Sequence, residues 1–317
     1  MSPERFLSTT EAMVASLRAR ASRDPSVVIV DAEVSERSVL EGFETEFPGK
    51  YLRAGMSERE AVLLASGLSL SGRNVFLNCQ SALLVPRAYD AIRSAVAIPS
   101  LPVSFLLTHS GLTGGAEGAG DQIMEDMAFL RALPNVSILV PSDGFSATEL
   151  AEGCSSTRVP VFFRLSALAR PDLPRTARED FNSGGASLVR EGDGVTLCAC
   201  GTMVHEAVKA ADILSQQGIE ADVIDCYSIK PLPAQVITAS VRRTGCCVVA
   251  EEHNASGGLG GAVAELLGQT SPVPVKFVSV QDRFGQSGGA EELLEYYGLS
   301  FKEILSAASQ AWNMRRR

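Results

Sequence analysis

The apolar positions of this chain fall into two recurring patterns. Short runs rich in valine, isoleucine, leucine and phenylalanine alternate with longer segments in which apolar residues recur every three or four positions. The short runs indicate buried strands, and the longer segments indicate helices. Strands that alternate with helices are typical of parallel sheets covered by helices. The pattern therefore predicts an α/β fold.

The first half of the chain predicts one parallel sheet and the helices that connect its strands. The segment from Ala167 to Gly185 is polar, contains prolines and glycines and has no periodicity, so it is predicted to be a linker. The strands are expected at Ser26–Asp31, Asn74–Asn78, Pro102–Thr108, Val136–Val140 and Val161–Arg164, and the helices at Thr10–Ala21, Ser57–Ser69, Val85–Ala95 and Asp121–Leu130.

The second half resumes the alternation. Its strands are expected at Val195–Ala199, Ala221–Asp225, Cys246–Ala250 and Val275–Val280, and its helices at Val204–Gln216, Pro233–Thr244 and Gly260–Leu267. A chain of 317 residues is long enough for two domains. We therefore predict two parallel-sheet domains, residues 1–180 and 185–317, with a boundary near residue 180.

Composition and charge exclude several classes of protein. A hydrophobic content of 45% supports two buried cores, and a net charge of −9 argues against nucleic acid as a partner. With no secretory signal and no apolar stretch of membrane-spanning length, a cytoplasmic protein with no membrane partner is expected. Seven cysteines without a CxxC pair, and three histidines far apart in sequence, argue against a disulfide framework or a zinc site.

Glu58 is the first residue with a candidate chemical role. It stands near the beginning of the predicted helix Ser57–Ser69, in which the residues after Glu60 are mostly small or apolar, so this helix is expected to pack inside the fold. A carboxylate at this position gains from the helix dipole. From the spacing alone, the simpler interpretation is that Glu58 or Ser57 serves only as the helix cap.

Several motifs, taken in order along the chain, resemble those of the transketolase family. Gly55-Met56-Ser57-Glu58 is similar to the Gly-Ile-Ala-Glu segment of that family, and Thr108–Gly118 is similar to its His-Ala-Gly-Ile-Thr-x-Gly-Glu-Asp-Gly loop. A lone glycine-rich loop would be weak support, whereas an ordered set over nearly the whole chain is specific. The other matching segments are Arg131–Asn135, Val140–Asp143, Glu251–Asn254, Gly257–Gly261 and Asp282–Gly288.

The resemblance implies both a fold and an activity. Residues 1–180 correspond to the family's pyrimidine-binding domain, and residues 185–317 correspond to its C-terminal domain. The implied function is that of the small subunit of a split, thiamine-diphosphate-dependent enzyme that transfers a two-carbon ketol unit. In such an enzyme the cofactor carries the carbanion chemistry, while the protein supplies orientation and electrostatics.

The resemblance also implies which residues bind the cofactor. Glu58 is expected to be catalytic and to bond the ring nitrogen of the pyrimidine. That bond needs a protonated carboxyl or a shared proton, which burial favours. Glu33, Gln80 and Leu83 are the other expected cofactor contacts. Gln80 and Leu83 stand where the family usually has aromatic residues beside the pyrimidine ring, so weaker cofactor binding is expected.

The expected substrate contacts are His109, which is also expected to be catalytic, and Arg164, Asp121 and Arg37. Guanidinium suits a sugar phosphate because its donors form a planar fork. From the sequence alone, a structural hydrogen bond of His109 and an ordinary ion pair of Arg164 are the simpler interpretations. Asp121 stands where a family histidine meets the substrate, and Arg37 where a serine is common. These departures predict a substrate other than the common pentose phosphates.

The family's magnesium and diphosphate motif is not expected in this chain. Gly192-Asp193-Gly194 matches the start of that motif, but the asparagine that completes it is missing, since the next one is Asn254. These residues are therefore predicted to form a turn, and no metal ligand is assigned. A partner subunit with the diphosphate-binding domain is expected to bind Mg²⁺, in a heterotetramer in which this chain also self-associates.

Two other functions stay open. The beta subunit of a 2-oxo acid dehydrogenase's decarboxylating component has the same layout and the same glutamate. A non-catalytic scaffold subunit would explain the departures at Gln80, Leu83 and Asp121. For the split transketolase-type enzyme, the second domain is expected to serve dimer contacts and rigidity, and its Glu251–Asn254 segment is expected to lie far from the chemistry.

Overall fold

Two β-sheets organise the chain. The computed structural model describes residues 6–33, 38–55, 57–154, 157–175 and 181–315. The predicted substrate contact Arg37 lies outside these residues, as does the predicted domain boundary near residue 180.

The first sheet has seven strands, all paired in parallel except for one at an edge. From that edge to the other they are β10 (Ser228–Lys230), β5 (Ser137–Leu139), β6 (Val161–Arg164), β4 (Val103–Thr108), β3 (Asn74–Gln80), β1 (Val27–Asp31) and β2 (Tyr51–Arg53). The exception is β10, which runs antiparallel to β5 with Ser228 opposite Leu139.

The second sheet has five strands, again with one antiparallel edge. In spatial order they are β12 (Val275–Val280), β11 (Cys247–Asn254), β8 (Val195–Ala199), β9 (Ala221–Asp225) and β7 (Ser187–Arg190). Strand β7 is the antiparallel one, on β9. Strand β10 follows β9 in sequence yet extends the first sheet, so it ties the two halves of the chain together.

Helices connect most of the strands. They are α1 (Thr9–Arg23), α2 (Phe43–Glu46), α3 (Glu58–Leu70), α4 (Ser81–Ala91), α5 (Asp126–Arg131), α6 (Gly144–Gly153), α7 (Met203–Gln216), α8 (Ala234–Thr244), α9 (Leu259–Thr270), α10 (Ala290–Tyr296) and α11 (Phe301–Met314). A π-helical turn, Ile92–Ala97, extends α4, and a short 3₁₀ helix spans Gly115–Glu117.

The local sequence explains why these elements form. Strand β1 is an apolar run that is buried throughout its length. Helix α1 begins after Ser8, whose side chain accepts a hydrogen bond from the Glu11 backbone while the Glu11 side chain accepts from the Ser8 backbone. Helix α4 begins directly after β3, so the end of that strand and the start of that helix share a fixed geometry.

The prediction of an α/β fold with two mainly parallel sheets is confirmed. One helix begins later than predicted, at Asp126 instead of Asp121, because the residues before it form a loop in which Gly111 pairs with Ile123. The edge strands β7 and β10 were not predicted, because they are too short to show a periodic pattern.

Apolar residues from both halves share one core. Ile138 and Phe162 of the first sheet belong to the same buried cluster as Cys198 and Ile224 of the second. Removal of apolar surface from water stabilises the fold by about 25 cal/mol per Å². All seven cysteines are buried and reduced. Within the described ranges, no helix has the length and apolar character needed to cross a membrane.

Candidate functional site

The carboxyl ends of the parallel strands in the first sheet carry four of the predicted site residues. Gln80 ends β3 and Arg164 ends β6, while Glu33 and His109 closely follow β1 and β4. Because the strands are parallel, these ends lie along one edge, with Gln80 opposite Thr108. Ligands of open α/β sheets bind at this edge.

Five buried polar side chains at this edge form what we call the acceptor cluster: Asp31, Glu33, Asn78, Gln80 and Thr108. Asn78 Nδ2 donates to Asp31 Oδ1 at 3.0 Å, and Thr108 Oγ1 donates to Glu33 Oε1 at 2.6 Å. Strand β3 lies between β1 and β4, so the Glu33 side chain crosses the end of β3 to reach Thr108. The cluster therefore joins three neighbouring strands.

Three oxygens of the acceptor cluster lack hydrogen-bond partners among the described residues. They are Glu33 Oε2, Asn78 Oδ1 and Gln80 Oε1. A buried acceptor without a donor costs about 1–3 kcal/mol. Burial raises the pKa of Glu33 to about 7, although the hydrogen bond from Thr108 favours the ionised form. Such a cluster fits a ligand that brings N–H donors or a positive charge.

Glu58 is the first residue of α3, and its side chain is buried. Ser57 caps this helix by accepting from Glu60 N at 3.4 Å, so Glu58 is not needed as the cap. Instead, Glu58 Oε1 accepts from Arg87 Nη1 at 3.0 Å. The Arg87 side chain is 60% exposed and that of Glu58 only 11%, so this ion pair reaches from the interior to solvent.

Cys79 shows that Glu58 lies near the acceptor cluster. Burial raises the pKa of the Cys79 thiol, and the nearby negative charges of Glu33, Glu58 and Asp31 raise it further. Glu58, Glu33 and Asp31 therefore all lie within electrostatic range of Cys79, near the end of β3. Of all the sequence-predicted cofactor contacts, Glu33, Gln80 and Glu58 are the ones brought together here.

Gln80 and Leu83 occupy different environments. Gln80 is both the last residue of β3 and the N-cap of α4, so its backbone is held from both sides. Leu83 lies on α4, is half-buried and packs against the main core. Gln80 thus offers a buried polar group, and Leu83 offers a partly exposed apolar surface.

His109 and Asp121 lie in the same loop, and both are half-buried. The backbone of His109 has a φ of 49°, in the left-handed region that side chains other than glycine rarely adopt. Next to it, Ser110 N donates to Leu165 O at 3.2 Å, and further on Asp121 N donates to Gly118 O at 3.1 Å. The structure therefore holds both predicted substrate contacts on one ordered segment.

Arg164 turns towards the second sheet. Its Nε donates to Asp126 Oδ2 at 2.9 Å, and its Nη2 donates to Glu252 O at 3.0 Å. Burial alone would lower the pKa of Arg164, but the charges of Asp126 and Glu252 outweigh that effect and raise it. The hydrogen bonds of Arg164 thus join β6 to α5 and β11, and its contact with a sugar phosphate stays a prediction.

Four residues of this region were missed by the sequence analysis. Asn78 gave a signal, because a buried amide within an apolar strand needs a partner. Arg87 gave none, since an arginine on a helix surface is ordinary. Glu252 belongs to a segment expected to lie far from the chemistry, yet its Oε1 accepts from Leu112 N at 2.5 Å, three residues after His109. Asp126, which accepts from Ser81 Oγ at 2.9 Å, gave no signal either.

Among the described residues, no three or more histidine, cysteine, aspartate or glutamate side chains are arranged to hold a metal ion. The segment Gly192-Asp193-Gly194 forms a bend before β8, where Gly192 N donates to Asp222 Oδ1 at 2.8 Å. That segment therefore belongs to the second sheet rather than to the acceptor cluster.

Two family models match the chain. Residues 6–171 match the transketolase pyrimidine binding domain, and residues 184–304 match the transketolase C-terminal domain. The chain belongs to the transketolase family.

Several similar proteins match this chain over most of the length of both chains. A putative transketolase C-terminal section from Methanocaldococcus jannaschii is 34% identical over 281 residues, which cover 88% of each chain. A 6-deoxy-6-sulfo-D-fructose transketolase subunit from a Clostridium species is 34% identical over 291 residues, which cover 92% of this chain and 90% of that one. The solved structure of a split gene transketolase, an inactive β4 tetramer, superposes with a TM-score of 0.88 at 33% identity, covering 98% of this chain and 100% of that chain.

Proposed function

We propose that this chain supplies half of the active site of a thiamine-diphosphate-dependent enzyme that transfers a two-carbon ketol unit. Residues 1–180 form the domain that binds the pyrimidine half of the cofactor, and residues 185–317 form the C-terminal domain. A partner subunit provides the diphosphate and Mg²⁺ site, and the two kinds of chain assemble as a heterotetramer.

The acceptor cluster is the observation that carries this proposal. Glu33, Asn78 and Gln80 each offer a buried oxygen that has no donor among the residues the structure describes. Thiamine diphosphate has an exocyclic amine on its pyrimidine ring and a positive charge on its thiazolium ring, so its chemistry fits a site that presents three such acceptor oxygens. When bound, the cofactor supplies a nucleophilic carbon that takes up the two-carbon unit.

Glu58 is proposed to hold the proton shared with the pyrimidine nitrogen. Its carboxyl lies near the acceptor cluster, and its partner Arg87 is largely exposed. Because Arg87 is largely exposed, it can turn into solvent when the ring arrives, and the ring nitrogen then replaces it as the partner of the buried Glu58 carboxyl. Leu83 is proposed to cover part of the ring in place of an aromatic side chain.

His109 and Asp121 are proposed to meet the substrate, because they share one loop at the sheet edge. Arg37 and Arg164 are proposed as further substrate contacts, which for Arg164 requires release of Asp126. Asp121, where the family has a histidine, accepts hydrogen bonds from sugar hydroxyls and repels anions. We propose a sugar phosphate or related substrate other than the common pentose phosphates. The Clostridium relative, named for 6-deoxy-6-sulfo-D-fructose, supports a search among modified sugars.

Calorimetric titration of thiamine diphosphate with Mg²⁺ tests the proposal. It is made on this chain alone, and then on its mixture with a candidate diphosphate-domain subunit from the same source. We expect tight binding only in the mixture. Tight, Mg²⁺-dependent binding to the lone chain would contradict a site divided between two subunits.

Substitution of Glu58 tests its role in the active complex. We expect Glu58→Gln to lower kcat by about 10²–10⁴-fold, because the amide keeps the size but does not exchange the proton. Glu60→Gln is the matched control, since Glu60 is an exposed residue of the same helix and should leave turnover unchanged. Normal turnover with Glu58→Gln would favour a non-catalytic scaffold.

A further inference from the structure

Glu252, a side chain of the second sheet, contacts the loop that carries His109 next to that histidine. Glu252 of β11 is buried, and its Oε1 accepts from Leu112 N at 2.5 Å. Its Oε2 accepts from Thr202 Oγ1 at 3.3 Å, so both carboxylate oxygens are engaged. A charged acceptor makes a stronger hydrogen bond with a backbone N–H than a neutral one does.

Gly111 shows how closely the loop approaches this carboxylate. Its φ is +70°, and a Cβ added there would lie 2.3 Å from Glu252 Oε1. Only glycine therefore fits at position 111. The carboxylate fixes the loop in two ways, since it bonds the amide of Leu112 and limits the approach of the backbone at Gly111.

Arg164 and Asp126 connect the backbone of Glu252 to the start of α4. Burial raises the pKa of Glu252, while the positive charge of Arg164 lowers it. Arg164 also donates to the backbone oxygen of Glu252 and to Asp126, and Asp126 accepts from Ser81 at the start of α4. Strand β11 is thus joined to both the His109 loop and the turn that follows Gln80.

We propose that Glu252 is a positioning residue, which sets the conformation of residues 109–112 and so the place of the His109 ring at the edge of the first sheet. The second domain then shapes the site directly, in addition to any role in dimer contacts. What His109 does for the substrate rests on the proposed function, whereas its positioning is a property of this chain alone.

Two measurements on the lone chain test this proposal. They are hydrogen–deuterium exchange of the segment 107–114 and NMR of the ring signals of the three histidines, assigned by substitution. Glu252→Asp keeps the charge but shortens the side chain by one methylene, which breaks the bond to Leu112 N. We expect exchange of the Leu112 amide to accelerate about ten-fold or more, and the His109 signal to shift or broaden.

Glu252→Gln is the rescue variant. It keeps an acceptor oxygen at full length, so we expect exchange in the segment and the His109 signal to stay close to wild type. Should Glu252→Asp not fold, Gly111→Ala tests the same contact from the other side, because the added Cβ must push the loop and the carboxylate apart.

Glu251→Asp is the matched control. Glu251 is the neighbouring residue of β11 and is equally buried, but its oxygens accept from Leu259 N and Gly260 N at the start of α9. We expect this variant to accelerate exchange in α9 and to leave 107–114 unchanged. The proposal is overturned if folded Glu252→Asp leaves the segment and the His109 signal as in wild type. It is overturned equally if Glu251→Asp changes both to the same degree.

The cofactor measurement separates this proposal from the proposed function. Failure of thiamine diphosphate to bind the mixed complex would overturn the function and leave the positioning result intact. In an active complex, we expect Glu252→Asp to lower kcat/KM about ten-fold, and Glu252→Gln to restore most of it.

Discussion

Buried carboxylates at the ends of β1 and β11 differ in how their oxygens are used. On β11, both oxygens of Glu251 accept from backbone amides of α9, and both oxygens of Glu252 have partners. After β1, Glu33 is just as buried, yet its Oε2 has no donor within the described part of the chain. Two amide oxygens beside it, on Asn78 and Gln80, are likewise unpaired.

The comparison teaches that burial of a polar group does not by itself mark a binding site. A fold supplies donors for the buried acceptors on which its own stability depends. Acceptors left without donors are stabilised only when something else brings the donors. On this argument, the carboxylates of β11 bind parts of this chain, α9 and the His109 loop, and the acceptor cluster is the site that we propose for a ligand.

The largest expected effect concerns Glu251, a buried carboxylate whose two oxygens both have donors. Glu251→Ala leaves the amides of Leu259 and Gly260 without acceptors at the beginning of α9, at about 1–3 kcal/mol each. We therefore expect a loss of about 4 kcal/mol in the free energy of unfolding. Urea titration measures this as a lower midpoint with an unchanged slope.

Glu265→Ala is the control for that loss. Glu265 lies on the same helix and is 66% exposed, and its ion pair with Arg131 contributes at most about 1 kcal/mol. If Glu251→Ala were no more destabilising than Glu265→Ala, the buried contacts of β11 would not be structural in the sense argued above.

Glu33, the buried carboxyl with an oxygen that lacks a donor among the described residues, predicts that the stability of the fold depends on pH. Burial raises the pKa of Glu33 from 4.5 to about 7, so the folded chain binds this proton more tightly than the unfolded chain does. The stability that Glu33 contributes is therefore complete below its unfolded pKa and is lost as the pH rises through the folded one. The loss amounts to about 3 kcal/mol. Urea unfolding of the lone chain at about pH 5 and about pH 8 measures it.

Glu33→Gln should remove this dependence, because an amide does not titrate in that range. We expect the variant to gain stability relative to wild type as the pH rises from about 5 to about 8. Glu44→Gln, an exposed residue of α2, controls for the change in net charge. A difference between Glu33→Gln and wild type that is the same at both pH values would show that Glu33 is not held in its protonated form.

The sequence could predict the framework but only part of the site. Strand β6 has the predicted bounds, Val161–Arg164, because an apolar run shows directly in the sequence. Gln80 and Glu33 were found through the family resemblance. Thr108, two strands away from β1, decides which oxygen of Glu33 has a donor. The periodicity of the sequence carries no information about such a contact between strands. The contact between Glu252 and Leu112 joins residues 140 positions apart and depends on how the two sheets pack.

The smallest expected effect is the sharpest test of the comparison. Gln80→Leu removes a buried acceptor that has no partner in the described part of the chain, so it should leave the stability of the lone chain unchanged or slightly higher. This effect is opposite in sign to that of Glu251→Ala. If Gln80 Oε1 accepts from the bound cofactor, the same change should raise the Kd of thiamine diphosphate in the mixed complex by about two- to ten-fold. Calorimetry measures both the Kd and the enthalpy of the lost hydrogen bond. Gln80→Phe separates the two contributions at this position, since it lacks the acceptor but restores an aromatic contact of about 0.5–1.5 kcal/mol. Unchanged affinity in Gln80→Leu would mean that this oxygen is met by water, and the acceptor cluster would then be smaller than the one described here.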